Sequence, residues 1–423
     1  MKVKRPNAAI YFIVYILFYP FLKLMFRIKI DRSKFSAPKG PFIVLANHTS
    51  FMDFLIVMLA LYPIRLNAIA AHKFFLYKPL NRFLPMMGCI SKYLFEPDIR
   101  SIIGIKTVLK RGDKILLFPE GRCSTDGVYA GVHKSTGKLI KKLGVHVVSC
   151  YSVGSYKCMP FWRPGLRFGR IHVTLDNLFE PEQLTSMSVE SINDAIDKRL
   201  GGIDVPPPRE PLQTFGAKRL AVGLDNILYL CPRCKQEFKM VTSDCTISCT
   251  ACGNAAVIDR DMNLNPTSGS ELPASIHEWF VVQAKYELSQ LDDDMKPIVV
   301  KAKVRVPASG AGAGMETCGE GLIKLDRSGW HFDGKLKGEQ VNLFFPIDTV
   351  PALPIDPNDV FQIYSGGMFY MFEPENKKAC IKYSLIGECA YWKFAVPVQM
   401  TPGEGAPFAN DNEHDKCQEL GVL

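Results

Sequence analysis

Apolar positions along the chain fall into three successive patterns. Up to about residue 200, short unbroken apolar runs alternate with stretches whose apolar residues recur at helical spacing. "PFIVLA" (41 to 46), "KILLF" (114 to 118), "VHVVSCYSV" (145 to 153) and "RIHVTL" (170 to 175) read as strands buried on a sheet. "SIIGIKTVLKRG" (101 to 112) and "HKSTGKLIKKLG" have helical spacing, basic last turns and a closing glycine. Strands alternating with helices predict an α/β unit over 40–200.

Past that point the periodicity breaks. Gly201-Gly202 and "VPPPREP" (205 to 211) predict a linker over 201–226, followed by a cysteine-rich unit over 227–262. "SIHEWFVVQAKYELSQL" (275 to 291) predicts a helix. Beyond it "PIVVKAKVRV", "GLIKLD", "GWHFDG", "QVNLFFP", "VFQIY", "MFYMFEP" and "ACIKYS" predict about seven short strands, with "LIGECAYWKFA" helical after them. This β-rich region, 275–397, weakly resembles a pleckstrin-homology-like (PH-like) barrel, which implies a binding module or a packing platform. "SGAGAGMETCGEG" (309 to 321) lacks the Gly-Lys-Ser/Thr of a phosphate loop and reads as a hairpin loop. The polar stretch 398–423 predicts a disordered tail.

At the other end, "AAIYFIVYILFYPFLKLMF" (8 to 26) is about as long as a bilayer-spanning helix needs to be. The bulky, basic Met25-Phe26-Arg27-Ile28-Lys29 does not look like a signal-peptide cleavage site, so the segment is expected to stay in the mature protein. Pro20 and Lys23 interrupt it, which makes a kinked or re-entrant helix pair in one leaflet as good a reading as a straight span. Residues 1–39 are therefore read as a membrane-anchoring helical segment.

Composition and charge refine this picture. At 423 residues, 47% apolar and 22% charged, the chain is globular. Of its net charge of +9, nine basic residues and one acid within residues 1–39 account for +8. Bases flanking an apolar, aromatic segment suit anionic lipid headgroups. No nucleic-acid recognition motif accompanies them, so no nucleic-acid partner is expected. The 13 cysteines form no evident disulfide ladder, which predicts a reducing compartment and an active part facing the cytoplasm.

Two clusters carry candidate chemistry. Cys231-x-x-Cys234 and Cys249-x-x-Cys252, fourteen residues apart, place four thiolates for tetrahedral zinc. Four cysteines leave no open coordination position, so the expected zinc is structural and the unit a zinc ribbon. The second cluster begins in "VLANHTSFMDFLIVML", where His48 and Asp53 interrupt an apolar run. Ser50-x-x-Asp53 also fits a helix capping box, in which His48 would be only a turn residue. On one straight helix, positions 48 and 53 differ by about 140° and cannot share a face. They meet only if His48 lies in the turn before the helix and Asp53 folds back from its first turn. Asp53 could then accept a hydrogen bond from one ring nitrogen and leave the other free as a base. Phe118-Pro119-Glu120-Gly121-Arg122 follows a buried strand, at the end where α/β proteins place ligands, and the Arg122 fork suits phosphate.

His48-x-x-x-x-Asp53 with Phe118-Pro119-Glu120-Gly121 about 65 residues on resembles the glycerolipid acyltransferase family, which includes the lysophosphatidic acid acyltransferases. The resemblance covers roughly residues 8–200 and implies a membrane-embedded N-terminal helix pair. It implies transfer of an acyl chain from a thioester, on coenzyme A or acyl carrier protein, to a lysophospholipid hydroxyl, with His48 as general base and Asp53 orienting it. It also implies acceptor binding by Glu120, Gly121, Arg122 and Lys73, with Gly88 and Pro79 in the same motif as Lys73. Three departures bear on the head group. Arg122 directly follows Gly121 and Cys123 stands where the family has its arginine; Tyr93 replaces an arginine that Arg100 supplies later; and prolines are missing from "GVHVVSCYSVG". The first departure looks more like the lysophosphatidylethanolamine-acylating branch.

The leading acceptor on this reading is 1-acyl-sn-glycerol-3-phosphate, giving phosphatidic acid, with lysophosphatidylethanolamine or another lysophospholipid as the alternative. A membrane-bound adaptor recruiting a protein through its C-terminal units is the non-enzymatic alternative. Hydrolysis by a thioesterase or phospholipase is less favoured, because no Gly-x-Ser-x-Gly turn is present.

Overall fold

The computed structural model describes residues 3–395 apart from 96–97, 134, 164, 209, 215–217, 292–295 and 311. The tail expected over 398–423 lies outside the described residues. The helices are α1 (Ala8–Phe26), α2 (Asp53–Leu61), α3 (Leu80–Met86), α4 (Ile99–Lys110), α5 (Ser135–Leu143), α6 (Ser155–Cys158), α7 (Pro181–Ser186), α8 (Val189–Leu200), α9 (Ile276–Ser289) and α10 (Cys380–Ala390).

Seven strands of the first unit, β1 (Lys29–Lys34), β2 (Phe42–Ala46), β3 (Leu66–Ala71), β4 (Ile90–Lys92), β5 (Lys114–Leu117), β6 (His146–Val153) and β7 (His172–Phe179), form one sheet. Its order is β1-β7-β6-β2-β5-β3-β4, parallel throughout except between β6 and β7. β2 lies centrally and is buried at every position, as an unbroken apolar run requires when both faces are covered. Phe42, Val44 and Ala46 face a layer containing Leu22 of α1 and Ile56 of α2, whereas Ile43 and Leu45 face Ile105, Ile140, Ile192 and Ile196 of α4, α5 and α8. β1 escapes the apolar pattern because "KIDRSK" is an edge strand, and charges there discourage pairing with other chains.

One continuous helix, not a pair, runs through Pro20. Pro20 lies on the exposed side, where losing one backbone bond does not interrupt the helix. Tyr11, Val14, Leu22 and Phe26 pack inward, while Phe12, Ile13, Ile16, Leu17, Phe21 and Leu24 form an exposed stripe, with Leu24 81% accessible.

The expected linker is only partly one. Leu220, Ala221 and Leu224 within it are buried with Trp162 and the cysteine-rich unit, continuous with Ile227 and Leu228 at the start of that unit. Four short strands, β8 (Met240–Ser243), β9 (Thr246–Cys249), β10 (Ala255–Ile258) and β11 (Leu264–Pro266), make the second sheet, and Trp279 of α9 closes its core.

The third sheet contains β12 (Ile298–Pro307), β13 (Met315–Asp326), β14 (Gly329–Leu336), β15 (Glu339–Pro346), β16 (Ile355–Asp356), β17 (Val360–Ser365) and β18 (Met368–Pro374). Its order is β15-β14-β13-β12-β18-β17-β16, with every pair antiparallel. "ACIKYS" is not a strand but the start of α10. Its buried Cys380, Ile381, Ser384 and Leu385 follow helical spacing, which short alternation concealed.

This unit also packs on the first. Gly314 N donates to Leu76 O at 2.7 Å, and the Tyr93 and Tyr364 rings meet edge to face at 5.9 Å.

Candidate active site

His48 sits in the loop that leaves the carboxyl end of β2 and enters α2. Asn47 clamps that loop to β6: its amide donates to Ser152 O, and its carbonyl oxygen accepts from Ser152 N, both at 2.8 Å. Thr49 and Ser155 hydroxyls lie 2.9 Å apart, and Ser50 Oγ donates to Met159 O at 3.0 Å. These polar anchors are buried, so the loop has little freedom to move.

His48 Nδ1 lies 3.2 Å from Asp53 Oδ2. The same oxygen accepts Ser50 N–H at 2.7 Å, so Asp53 completes half of a capping box while also facing the imidazole. Met52, not Ser50, is the residue preceding α2, and Ser50 Oγ accepts from Met52 N at 3.3 Å. Asp53 is fully buried at the start of α2, where a carboxylate also meets the positive end of the helix dipole. With Nδ1–H directed at Asp53, Nε2 is the nitrogen left as a base; it has no hydrogen-bond partner among the described residues. The His48 ring stacks on Phe118 with centroids 4.3 Å apart, and the side chain is 22% exposed.

The segment after β5 supports this loop from the other side. Glu120 is buried, and both of its oxygens are used: Oε1 accepts His48 N–H at 2.5 Å and Oε2 accepts Ala130 N–H at 2.9 Å. It therefore holds the backbone of His48 rather than opening toward an acceptor. Burial pushes its pKa up to about 7, against the pull of those two N–H donors and of His48. Gly121 turns the chain at φ +72°, a conformation that favours glycine, with its N–H on Phe118 O at 3.1 Å. Ser124 N donates to His48 O at 2.8 Å, so both flanks of Arg122 bond to His48.

Arg122 and Lys73 reach carboxylates from the third unit. Arg122 makes a two-point contact with Glu388 on α10, with Nη2 to Oε2 at 3.1 Å, and Lys73 bonds Asp356 on β16. Lys73 Nζ also lies 5.3 Å from the Phe74 ring, which meets the exposed Phe51 ring at 5.7 Å, one residue past Ser50. Arg100 is exposed in the first turn of α4, apart from the His48 loop contacts. Tyr93 stacks on His72 at 4.3 Å.

Sequence reasoning missed Asn47, Ser152, Ser155, Asp356 and Glu388. Asn47 alone left a signal, as the polar residue between the buried strand β2 and His48. The others act across more than 100 residues, where no spacing rule reaches.

The four cysteines converge elsewhere. Cys231 and Cys252 sulfurs lie 3.6 Å apart, Cys234 and Cys249 sulfurs 3.7 Å, and all four are within 4.8 Å of one another. Tetrahedral zinc with bonds of about 2.3 Å sets sulfur edges of roughly 3.8 Å, so the donor set fits that ion. Each knuckle closes with an N–H to the first cysteine's carbonyl at 3.0 Å, from Lys235 and from Gly253, both at positive φ.

A family model described as acyltransferase matches residues 27–153. A 1-acyl-sn-glycerol-3-phosphate acyltransferase of Chlamydomonas reinhardtii is 24% identical over 191 residues, covering 43% of this chain and 54% of the relative. The chloroplastic enzyme of the same name from Arabidopsis thaliana is 26% identical over 160 residues, covering 37% and 44%. This stretch is similar to acyltransferases of glycerolipids.

The chain spans about half the length of the curated relatives it matches. A crystal structure of the 1-acyl-sn-glycerophosphate (LPA) acyltransferase of Thermotoga maritima is similar at 18% identity and a TM-score of 0.41, over 47% of this chain and 81% of that one. The acyltransferase stretch contains β1 to β6 and, with them, the His48 loop and the Glu120 turn. Cys231 to Cys252, α9 and the third sheet lie beyond it.

Proposed function

We propose that the chain transfers an acyl group from a thioester, on coenzyme A or acyl carrier protein, to the free hydroxyl of a lysophospholipid. The observation that carries this reading is a buried carboxylate on one nitrogen of a partly exposed histidine, at the end of a central strand within the acyltransferase stretch. His48 Nε2 takes the proton of the acceptor hydroxyl, and Asp53 stabilises the imidazolium that forms. The hydroxyl oxygen attacks the thioester carbonyl carbon, the carbon–sulfur bond breaks, and the thiolate leaves with the proton returned by His48. No covalent acyl-enzyme is needed.

The relatives' names carry 1-acyl-sn-glycerol-3-phosphate, whose acylation would give phosphatidic acid, and it is the first acceptor to try; lysophosphatidylethanolamine is the second. Arg122 and Lys73 are the basic side chains closest to this role, and Glu120 is a positioning residue. The stripe on α1, with bases on both sides, is proposed to lie in one leaflet of a membrane. The twelve free cysteines described support a reducing, cytoplasmic face for the site.

Zinc in the four-cysteine cluster would be structural, making this unit a zinc ribbon. Seven antiparallel strands followed by α10 support a PH-like reading of the last unit, a surface through which a protein partner could be recruited. The domain boundaries proposed are those of the three sheets.

The test is phospholipid formation by the purified protein with an acyl thioester and each acceptor. His48→Ala should lower turnover roughly 100- to 10,000-fold with the fold intact. Turnover unchanged in that variant would sink the reading and favour a lipid-binding adaptor.

A further inference from the structure

The two basic side chains assigned to the acceptor head group do not stand alone. Arg122 is paired at two points with Glu388, 266 residues away, and Lys73 with Asp356, 283 residues away. Both pairs are partly shielded from solvent. Each pair has one well-covered member, Glu388 at 18% and Lys73 at 15% exposed, and one more open one, Arg122 at 34% and Asp356 at 41%. Gln362, fully buried, donates to Asp356 Oδ2 at 3.2 Å and fixes that carboxylate. The Gly314 to Leu76 hydrogen bond and the Tyr93–Tyr364 contact hold β12–β18 against the Lys73 segment.

These pairs change what the head-group site presents. Arg122 and Lys73 by themselves would offer two positive charges to a phosphomonoester. With Glu388 and Asp356 in place the four groups sum to zero, and a phosphate dianion would approach two carboxylates already paired with those bases. A head group that carries a phosphodiester and an ammonium group has one charge of each sign. Its phosphate can face the guanidinium and ammonium side chains while its own ammonium faces a carboxylate. Repulsion of the wrong ligand is as effective a source of selectivity as attraction of the right one.

We propose that Glu388 and Asp356 are specificity-determining residues, which select a zwitterionic lysophospholipid over a phosphomonoester acceptor by neutralising Arg122 and Lys73. This rests on the acyl-transfer reading above and names the acceptor class of the same site. It also gives the third unit a role: it supplies the wall of the head-group site.

The experiment measures kcat/KM of the full chain for lysophosphatidylethanolamine and for 1-acyl-sn-glycerol-3-phosphate, with thiol release as the common readout. Wild type should prefer the zwitterionic acceptor. The double variant Glu388→Gln with Asp356→Asn should move the ratio about tenfold or more toward the phosphomonoester. Its KM for that acceptor should fall and become more sensitive to salt. Glu388→Asp, which keeps the charge, should retain the wild-type ratio, and an unchanged thermal midpoint would show that the variants fold.

A wild-type preference for the phosphomonoester overturns the proposal. So does an unchanged ratio in the folded double variant, or an equal rise for both acceptors, which would make the pairs a latch. Absence of His48-dependent thiol release with either acceptor defeats the acyl-transfer reading itself, and this inference with it.

Discussion

The histidine loop and the four-cysteine cluster are built in opposite ways. All four sulfurs come from a stretch of 22 residues folded by two tight turns, so the cluster is local. The histidine loop depends on Ser152, Glu120 and Ser124, which reach it only because β2 lies between β5 and β6 in the sheet. A local cluster can be organised by one ion, whereas a dispersed one needs a cooperative sheet. The geometry differs accordingly: one site turns all four sulfurs toward one another, and the other leaves a nitrogen open.

The largest effect expected from breaking this comparison is on the zinc proposed for the four cysteines. Stripping it with a chelator, or Cys249→Ser, should remove on the order of 10 kcal/mol of local stability. Hydrogen exchange should then show β8 to β11 unprotected while β2, β5 and β6 stay protected. Joint loss of protection would mean that the two regions fold as one unit.

Next in size is Glu120→Ala, which leaves the His48 and Ala130 N–H groups unpaired in the interior. It should cost roughly 2–4 kcal/mol in denaturant unfolding and lower turnover about 10- to 100-fold. A variant with full activity would show that the loop clamp of Asn47 and Ser152 suffices.

The smallest effect is on pH dependence, where the two regions should slope in opposite directions. Burial raises Glu120 and Asp197 to about 7 each, in both cases against backbone N–H donors that lower them. Groups raised above their unfolded values favour the folded state most below about pH 4. That contribution is lost as pH climbs through about 7. The melting temperature of the first sheet should therefore fall by several degrees between pH 5 and pH 7.5. Asp197→Asn, whose amide oxygen can still accept from Val132 N, should flatten that slope. Metal retention by the cysteines should instead improve over the same range, because protons compete for thiolates. Parallel slopes would erase the distinction.

Much of this was legible along the chain. The central strands could be read because a strand covered on both faces must be apolar throughout, and the CxxC pairs because knuckle geometry is local. The requirement that His48 precede the helix also follows from helical geometry alone. Three things were not legible. β1 is polar because it lies at an edge. "ACIKYS" is too short for its period to separate helix from strand. The segment around Leu224 packs only because Trp162 and the cysteine unit meet there.

What the sequence by itself determined is the set of chemical groups and every feature whose partners lie within a few turns of chain. The tertiary structure alone decided which charges those groups meet. Glu120 turns inward to two N–H groups, and Arg122 and Lys73 turn to Glu388 and Asp356. The physical reason is range. Backbone periodicity constrains neighbours at 2.0 and 3.6 residues, whereas electrostatic partners are chosen by proximity in space after the sheets have packed.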